Sequence, residues 1–435
     1  MKNNPNIIFL NHASFIIEFN GVKILNDPFL FGSAFNNGWN LIKEVDHEKI
    51  LKGTTHIFFS HEHPDHFSVP FLKSIPSDKR SEIKIIYQET YDKRVKDFCE
   101  RLGYEFIELK NLKETKIIED FYITIGKVPF YDSWINFRLN NKNILNVNDC
   151  VFENKNILSS IKKIIKNVDV LFTQFSYANF IPEKDQVNEA IKCLDNIKLQ
   201  DRILSPNYIV PFASFIYFSH HENYFMNKNA NTIQTTHNFI EKNCKAHPII
   251  LKPNEYWDLK KKDNYDSLDF WNAHYENTPN LQYHKNNLIL NSDDLVEKSK
   301  HYIKKIKKNN SVFLIFILFK LRIFSKILIF VKDIEEYFYF DVFNGLKLKK
   351  NFNDEEIDIE MSSDSLEFIF KYDYGFDTLL VNARFKALPK NINKVTKNFI
   401  IGSLNNTGRF ISFFEIHKFL NLNLIKRAFK LFKKY

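Results

Sequence analysis

Three histidines and an aspartate fall within the six residues His61-Glu62-His63-Pro64-Asp65-His66, in a chain with 14 histidines among 435 residues. The segment follows Thr55-His56-Ile57-Phe58-Phe59-Ser60, a short apolar run of the kind that forms a buried strand. In extended backbone, residues two apart share a side, so His61 and His63 aim at one point. The next turn carries Asp65 and His66 to a neighbouring point. Pro64 stiffens the loop, which lowers the entropy lost on ligation. Imidazole suits zinc, iron, nickel or copper, and a carboxylate adds charge suited to hydrolytic zinc or to iron. A lone His-x-His is more often an inert surface pair. Four ligand atoms at the end of one strand predict a metal centre.

The rest of the chain reads as layers of sheet and helix. Ile7–Leu10 and Phe15–Phe19 alternate as strands, and Asn20-Gly21 is a hairpin signal before Val22–Leu25. Strand-like runs recur at 83–87, 105–109, 121–128, 144–147, 168–173 and 249–252, with helical patterns at 90–102, 156–166 and 186–197. Strands in runs, then alternating with helices, predict an α+β or layered α/β domain. Such a length exceeds one core, so residues 1–265 are expected to form a catalytic domain. Residues 266–289 read as a linker or packed excursion, and 290–435 as a smaller α+β domain. In the latter, 312–319 and 323–331 fit either helix or strand.

The motifs in order resemble the metallo-β-lactamase superfamily. Its signature is similar to His61-x-His63-x-Asp65-His66, its first motif to Asn26-Asp27-Pro28, and its later bridging motif to Asn148-Asp149-Cys150. Asn11-His12-Ala13-Ser14, the loop Phe31–Trp39 and Pro211–Phe215 resemble the branch around ascorbate-6-phosphate lactonase and the metallo-β-lactamase portion of sialic-acid hydroxylases. The resemblance implies a four-layer αββα sandwich holding two divalent ions, zinc first, with iron or manganese as alternatives. It makes His61, His63, Asp65, His66, Asp149 and the late His220 the expected ligands, with Asp27 supporting them from behind. No histidine occurs from residue 67 to 219, where the superfamily has a middle ligand. Asp132 is the expected replacement, and a turn or cap role is its plain alternative. His12, Asn36, Asn37, Trp39 and Ser214 are the expected substrate-facing positions, each with ordinary packing as the alternative.

Three functions follow. Hydrolysis by a metal-activated water is expected first, with Asp65 and Asp149 as the catalytic carboxylates. An iron oxygenase is the alternative; it would need an electron-donor protein, because no paired Cys and His could hold a Rieske cluster here. A non-catalytic metal-binding module is the third.

The four scattered cysteines predict no disulfide framework and a reducing, cytoplasmic setting, and the N-terminus shows no signal-peptide pattern. Net charge is +9, but residues 301–350 alone hold eleven Lys/Arg against four Asp/Glu. A local excess of this kind is a poor argument for nucleic-acid binding. It suggests an anionic small-molecule substrate, or peripheral membrane contact through 312–331 and the basic run 424–430. Residues 361–385 resemble sterol-carrier-like domains, which implies lipid binding.

Overall fold

A computed structural model describes residues 5–128, 132–150, 152, 155–286, 288–320, 323–350 and 356–412. The run 424–430, His417, Arg322 and Pro129–Tyr131 lie outside the described residues.

Strand periodicity explains the layering. In Asn6–Asn11, Ser14–Phe19 and Val22–Asn26, residues Ile7, Phe9, Phe15, Ile17 and Ile24 face one hydrophobic cluster. Their neighbours Ile8, Leu10, Ile16 and Leu25 face another. Apolar side chains on both faces require cover on both faces. On one side lies a second sheet: Phe15 stacks on Phe172 at 4.4 Å and meets Phe212 edge-on at 5.4 Å. On the other lie the helices Val69–Ser74 and Arg94–Arg101, which contribute Phe71, Leu72, Val95 and Cys99. The result is an α+β sandwich of two seven-stranded sheets flanked by helices.

Both sheets follow one plan. The first is antiparallel through Asn6–Asn11, Ser14–Phe19 and Val22–Asn26, then parallel through His56–Phe58, Lys84–Gln88 and Glu105–Leu109. The second is antiparallel through Thr115–Ile118, Phe121–Lys127, Ser133–Leu139 and Lys142–Asn146, then parallel through Val170–Gln174, Tyr208–Phe212 and His247–Pro248. Parallel strands end on the same side, and ligand sites in such sheets gather beyond their carboxyl ends. His61–His66 and Asp149 both emerge there.

A five-stranded sheet built from Gly345–Leu348, Glu336–Asp341, Ile327–Val331, Ile359–Met361 and Phe385–Lys386 organises the C-terminal part. Helices Ser292–Asn309, Ser363–Lys371 and Pro389–Asn406 pack on it through Leu295, Ile303, Leu366, Ile369, Val395 and Phe399. Its core runs without a break into Phe35, Trp39, Tyr177 and Phe218 of the N-terminal half.

Several boundaries differ from expectation. Residues 266–289, expected as a linker or a packed excursion, hold most of the helix Tyr265–Asn277, which sinks Leu268 and Trp271 into the core between the sheets. Trp271 also donates its indole N–H to the Leu251 carbonyl at 2.9 Å. Its buried stripe is three residues wide among polar and aromatic neighbours, too narrow to read as a period. The helix expected from residue 90 begins at Arg94, because Lys93 is left-handed with φ of 53°. The one expected to end at 197 runs to Leu204 and stops at left-handed Ser205. Residues 249–252 form no strand; pairing at that edge is confined to His247–Pro248 and the Ile249 N–H bond to Ile209. Of the ambiguous segments, Val312–Lys320 is helix and Ile327–Val331 is strand.

Candidate metal centre

Asp27 ends the third strand in a left-handed conformation, φ 37°, and is fully buried. Its carboxylate accepts from the Ser60 N–H and the Ser60 hydroxyl, both at 2.7 Å, and lies 3.1 Å from His66 Nδ1. The Ser60 hydroxyl also lies 2.9 Å from His61 Nδ1. These contacts occupy the rear nitrogens of both rings and leave each Nε2 facing forward. Partners of this kind fix a metal-ligating imidazole's tautomer and orientation.

The forward atoms converge in two groups. His61 Nε2 and His63 Nδ1 are 2.9 Å apart, and Asp132 completes a cluster whose ligand atoms all lie within 4.8 Å of one another. Asp132 is carried there by its neighbour Ser133, whose hydroxyl donates to the Ser60 carbonyl at 2.6 Å. The second group is His12, Asp65 and His66, with His12 Nε2 3.2 Å and His66 Nε2 3.4 Å from the same Asp65 oxygen. Asp149 stands between the groups, one oxygen 3.6 Å from His61 Nε2 and 3.7 Å from His66 Nε2. A left-handed Asn148 turns it there, and the Asn148 carbonyl is held by the Gln174 N–H at 3.1 Å.

These residues fit metal ions on two counts. His12 Nδ1, Asp65 Oδ1, His66 Nε2 and Asp149 Oδ1 are buried with no hydrogen-bond partner, a costly condition for polar atoms unless something charged meets them. The electrostatics point the same way. Burial would raise the Asp65 carboxyl, but His66 and His12 hold it well below its ordinary range. Burial would lower His66, but Asp65, Asp149 and Asp27 push it well above its usual value. Burial, then Asp149, drive Asp132 well upward, while burial holds His61 well down. His66 and Asp132 both hold protons more tightly than usual, and a bound cation would compete with those protons.

His220 is not part of this constellation. Its Nδ1 accepts from the Glu222 N–H at 3.1 Å, and its charged neighbours are Glu222, Arg384, His284 and Lys332. The tight turn from Ser219 to Asn223 points it toward the C-terminal sheet. His12, expected at the rim, sits within the donor cluster instead, 1% exposed, where the second group has its third side chain. Its place at the end of a buried strand does not by itself distinguish it from other histidines.

A cleft of about 210 Å³ opens beside His63, Asp65 and Asp149. Phe35, Trp39 and Tyr177 form an aromatic wall, and Gln174, Asn196 and Gln200 a polar one. The buried indole N–H of Trp39 and the Gln200 carbonyl oxygen are unpartnered. None of the described lining residues is Lys or Arg, so the basic excess of 301–350 does not reach the cleft. Asn36 and Asn37 shape the loop rather than line the cleft. With Phe35 they form three consecutive left-handed residues, and Asn37 accepts from the Ser33 hydroxyl at 2.7 Å. Ser214 Oγ accepts from the N–H groups of Phe175 and Ser176 at 3.2 and 3.1 Å, holding the segment that leads to Tyr177. The polar wall escaped sequence reading because Asn196 and Gln200 look like solvated positions on a helix of modest amphipathicity.

Residues 6–153 match the family model described as beta-lactamase superfamily domain. The cytidine monophosphate-N-acetylneuraminic acid hydroxylase of Cricetulus griseus is 27% identical over 285 residues, covering 60% of this chain and 50% of the relative. That of Xenopus laevis is 28% identical over 233 residues, covering 49% and 39%. The chain thus spans about half the length, or less, of the curated relatives it matches. Among solved structures, CmlA, a diiron beta-hydroxylase from Streptomyces venezuelae, aligns with a TM-score of 0.44 at 12% identity, covering 59% of this chain and 54% of that one. The matched segment, with the His-rich turn at a strand end, is similar to the beta-lactamase superfamily domain, and the two paired sheets it belongs to are consistent with that likeness.

Proposed function

We propose that this protein is a dinuclear iron oxygenase that hydroxylates a small, hydroxyl-rich metabolite. The observation that carries the reading is the composition of the two ligand groups. His61, His63 and Asp132 make one set, His12, Asp65 and His66 the other, and Asp149 faces both. Two imidazoles and one carboxylate with positions left open is the ligand set of non-haem iron(II) oxygenases. Two iron ions held there would supply the activation of dioxygen.

The chain's own residues do the rest. Asp27 keeps His66 aimed, and the aromatic wall of Phe35, Trp39 and Tyr177 excludes water and offers faces to a ring. Gln174, Asn196 and Gln200 can exchange hydrogen bonds with hydroxyl groups, and Glu189 adds a carboxylate acceptor to the same lining. An acidic or nucleotide-linked substrate would meet its positive charge at the ions. The names of the curated relatives support such a sugar derivative. The reaction balances as one C–H becoming C–OH, with the second oxygen atom leaving as water after two electrons and two protons arrive. The electrons would come from a separate electron-donor protein, since this chain has no Cys-x-His pairs for a Rieske cluster.

That last point also favours a second reading, hydrolysis of an anionic ester, lactone or phosphoester, which needs no reductant. Zinc ions at the same side chains would supply a water that ionises near neutral pH. Metal analysis of protein purified without oxygen, followed by oxygen uptake with a chemical reductant and a panel of sugar acids and nucleotide sugars, separates the two. About two irons per chain and substrate-dependent oxygen uptake, with labelled oxygen in the product, support the oxygenase. Stoichiometric zinc, no oxygen uptake and release of a hydrolysis product would replace it with the hydrolase.

A further inference from the structure

The helix Val312–Lys320, sequence VFLIFILFK, is apolar all round yet buries only Ile315. Ile315 joins a small cluster with Ile306, Phe324, Val342 and Ile401. Phe313 is 61% exposed, Val312 41%, Phe316 39% and nearby Ile323 42%. Scattered exposed apolar residues are ordinary; four within one short stretch are a patch. No helix among the described residues is long and apolar enough to cross a membrane.

Cations border it. Lys320 Nζ lies 5.4 Å from the Phe316 ring, and Lys307 Nζ lies 4.4 Å from the Phe343 ring, itself 5.6 Å from Phe316. The preceding helix, Ser292–Asn309, ends in Lys307 and Lys308. The described chain closes beside the patch: the Ser311 N–H donates to the Ile411 carbonyl and the Ile411 N–H to Asn310 Oδ1, both at 2.7 Å. Residues 413–435, which follow in sequence, hold six Lys/Arg against one Glu.

We propose that this face docks on an anionic lipid bilayer, with Val312, Phe313 and Phe316 entering the headgroup boundary and Lys307, Lys308 and Lys320 meeting lipid phosphates. An apolar face ringed by lysines is the composition of interfacial helices. Charge decides between occupants. A second copy of this face, or this chain's own basic C-terminal segment, would bring like charges together, whereas an anionic surface attracts both cationic elements. The inference stands independently of the oxygenase reading.

Sedimentation of the full chain with vesicles of phosphatidylcholine, with and without phosphatidylglycerol, tests it. Binding is expected only with phosphatidylglycerol, weakening as salt rises. The double variant Phe313→Glu/Phe316→Glu should lose at least about tenfold in partitioning, and Lys307→Glu/Lys320→Glu a comparable amount. Circular dichroism identical to the parent shows that the variants fold; should the phenylalanine pair fail to fold, the lysine pair, on the surface, carries the test. No binding to anionic vesicles overturns the proposal. So does binding that neither pair weakens while Lys426→Glu/Arg427→Glu abolishes it, because the contact then belongs to the C-terminal segment alone.

Discussion

Arg384 and Glu222, 162 residues apart, form a buried ion pair with Nε 2.9 Å from Oε2, and through it the C-terminal sheet holds the wall of the metal cleft. The same guanidinium donates to the Asn36 carbonyl at 2.8 Å and to Asn286 and Asp364, both at 2.6 Å. Asn36 belongs to the left-handed loop that presents Phe35 and Trp39. A second tie runs alongside, since Asn382 donates to the Phe35 carbonyl at 3.1 Å and Val381 lines the cleft itself. The C-terminal part therefore acts as a structural element of the site.

Replacing Arg384 with Ala leaves buried Glu222 with Lys332 as its remaining cation, and partly exposed Asp364 beside a void. Breaking a buried pair in this way costs about 3–5 kcal/mol, which urea denaturation would register as a lower midpoint. Lysine keeps the charge but cannot reach four acceptors with one ammonium, so Arg384→Lys should recover only part of the loss. Metal content should stay at the parental level in both, because Arg384 touches none of the candidate ligands.

His220 gives this junction a pH dependence. Burial, then Arg384, press its pKa from 6.5 down to about 3. The folded protein therefore keeps His220 neutral, while the unfolded chain takes up its proton below about 6.5. The unfolded state binds more protons, so stability is full above that value and falls as the pH drops toward 3. Denaturation midpoints between pH 7 and pH 4 should decline, and His220→Asn should flatten part of the slope. An unchanged slope in that variant would mean that other groups, Glu222 foremost, carry the acid sensitivity.

Gly38 tests how closely the two parts meet. A Cβ added there would lie 2.4 Å from Asn382 Cβ and 2.9 Å from the Phe35 carbonyl oxygen, and neither neighbour is a flexible tip. Gly38→Ala should cost about 1–3 kcal/mol by overpacking. Because the displaced loop carries Phe35 and Trp39, substrate affinity should suffer more than metal content. A variant as stable as its parent would mean that the junction yields easily.

What could be read from sequence follows the range of the interactions involved. The turn 61–66 was legible because its ligands are adjacent and follow an apolar strand, and Asp149 because it follows another. Asp132 stood out only through the missing middle histidine. His12 and His220 exchanged places for a reason no local pattern records. Which histidine reaches the cluster depends on long-range contacts: the His12 carbonyl accepts from the Ala213 N–H, and the Glu222 N–H donates to His220 Nδ1. The helix Tyr265–Asn277 was hidden similarly, as a few buried side chains among polar ones. Exposed Phe313 and Phe316 broke the amphipathic pattern that would have distinguished helix from strand.

Asp27 supports the centre without belonging to either ligand group. Its two oxygens serve the Ser60 N–H, the Ser60 hydroxyl and His66 Nδ1. An amide can accept through only one oxygen, so Asp27→Asn loses at least one of these bonds and the charge behind His66. Metal affinity should fall about 10–100-fold, measurable by competition with a chelating dye. Unaltered affinity would remove Asp27 from the supporting role.

On the oxygenase reading, Asp132 is the residue on which the choice of metal turns. As a carboxylate it gives the first group the same two-His, one-carboxylate composition as the second. Asp132→His would turn that group into three neutral imidazoles, a set that holds zinc well and leaves one fewer negative charge to stabilise iron. Loaded from a mixture of iron and zinc, the variant should shift toward zinc and lose substrate-dependent oxygen uptake, whereas Asp132→Glu should retain iron. The imidazole is larger than the carboxylate, so total metal per chain must be measured beside the ratio. A variant that fills both positions yet selects iron as the parent does would show that Asp132 does not set the preference, and the oxygenase reading would lose its main support.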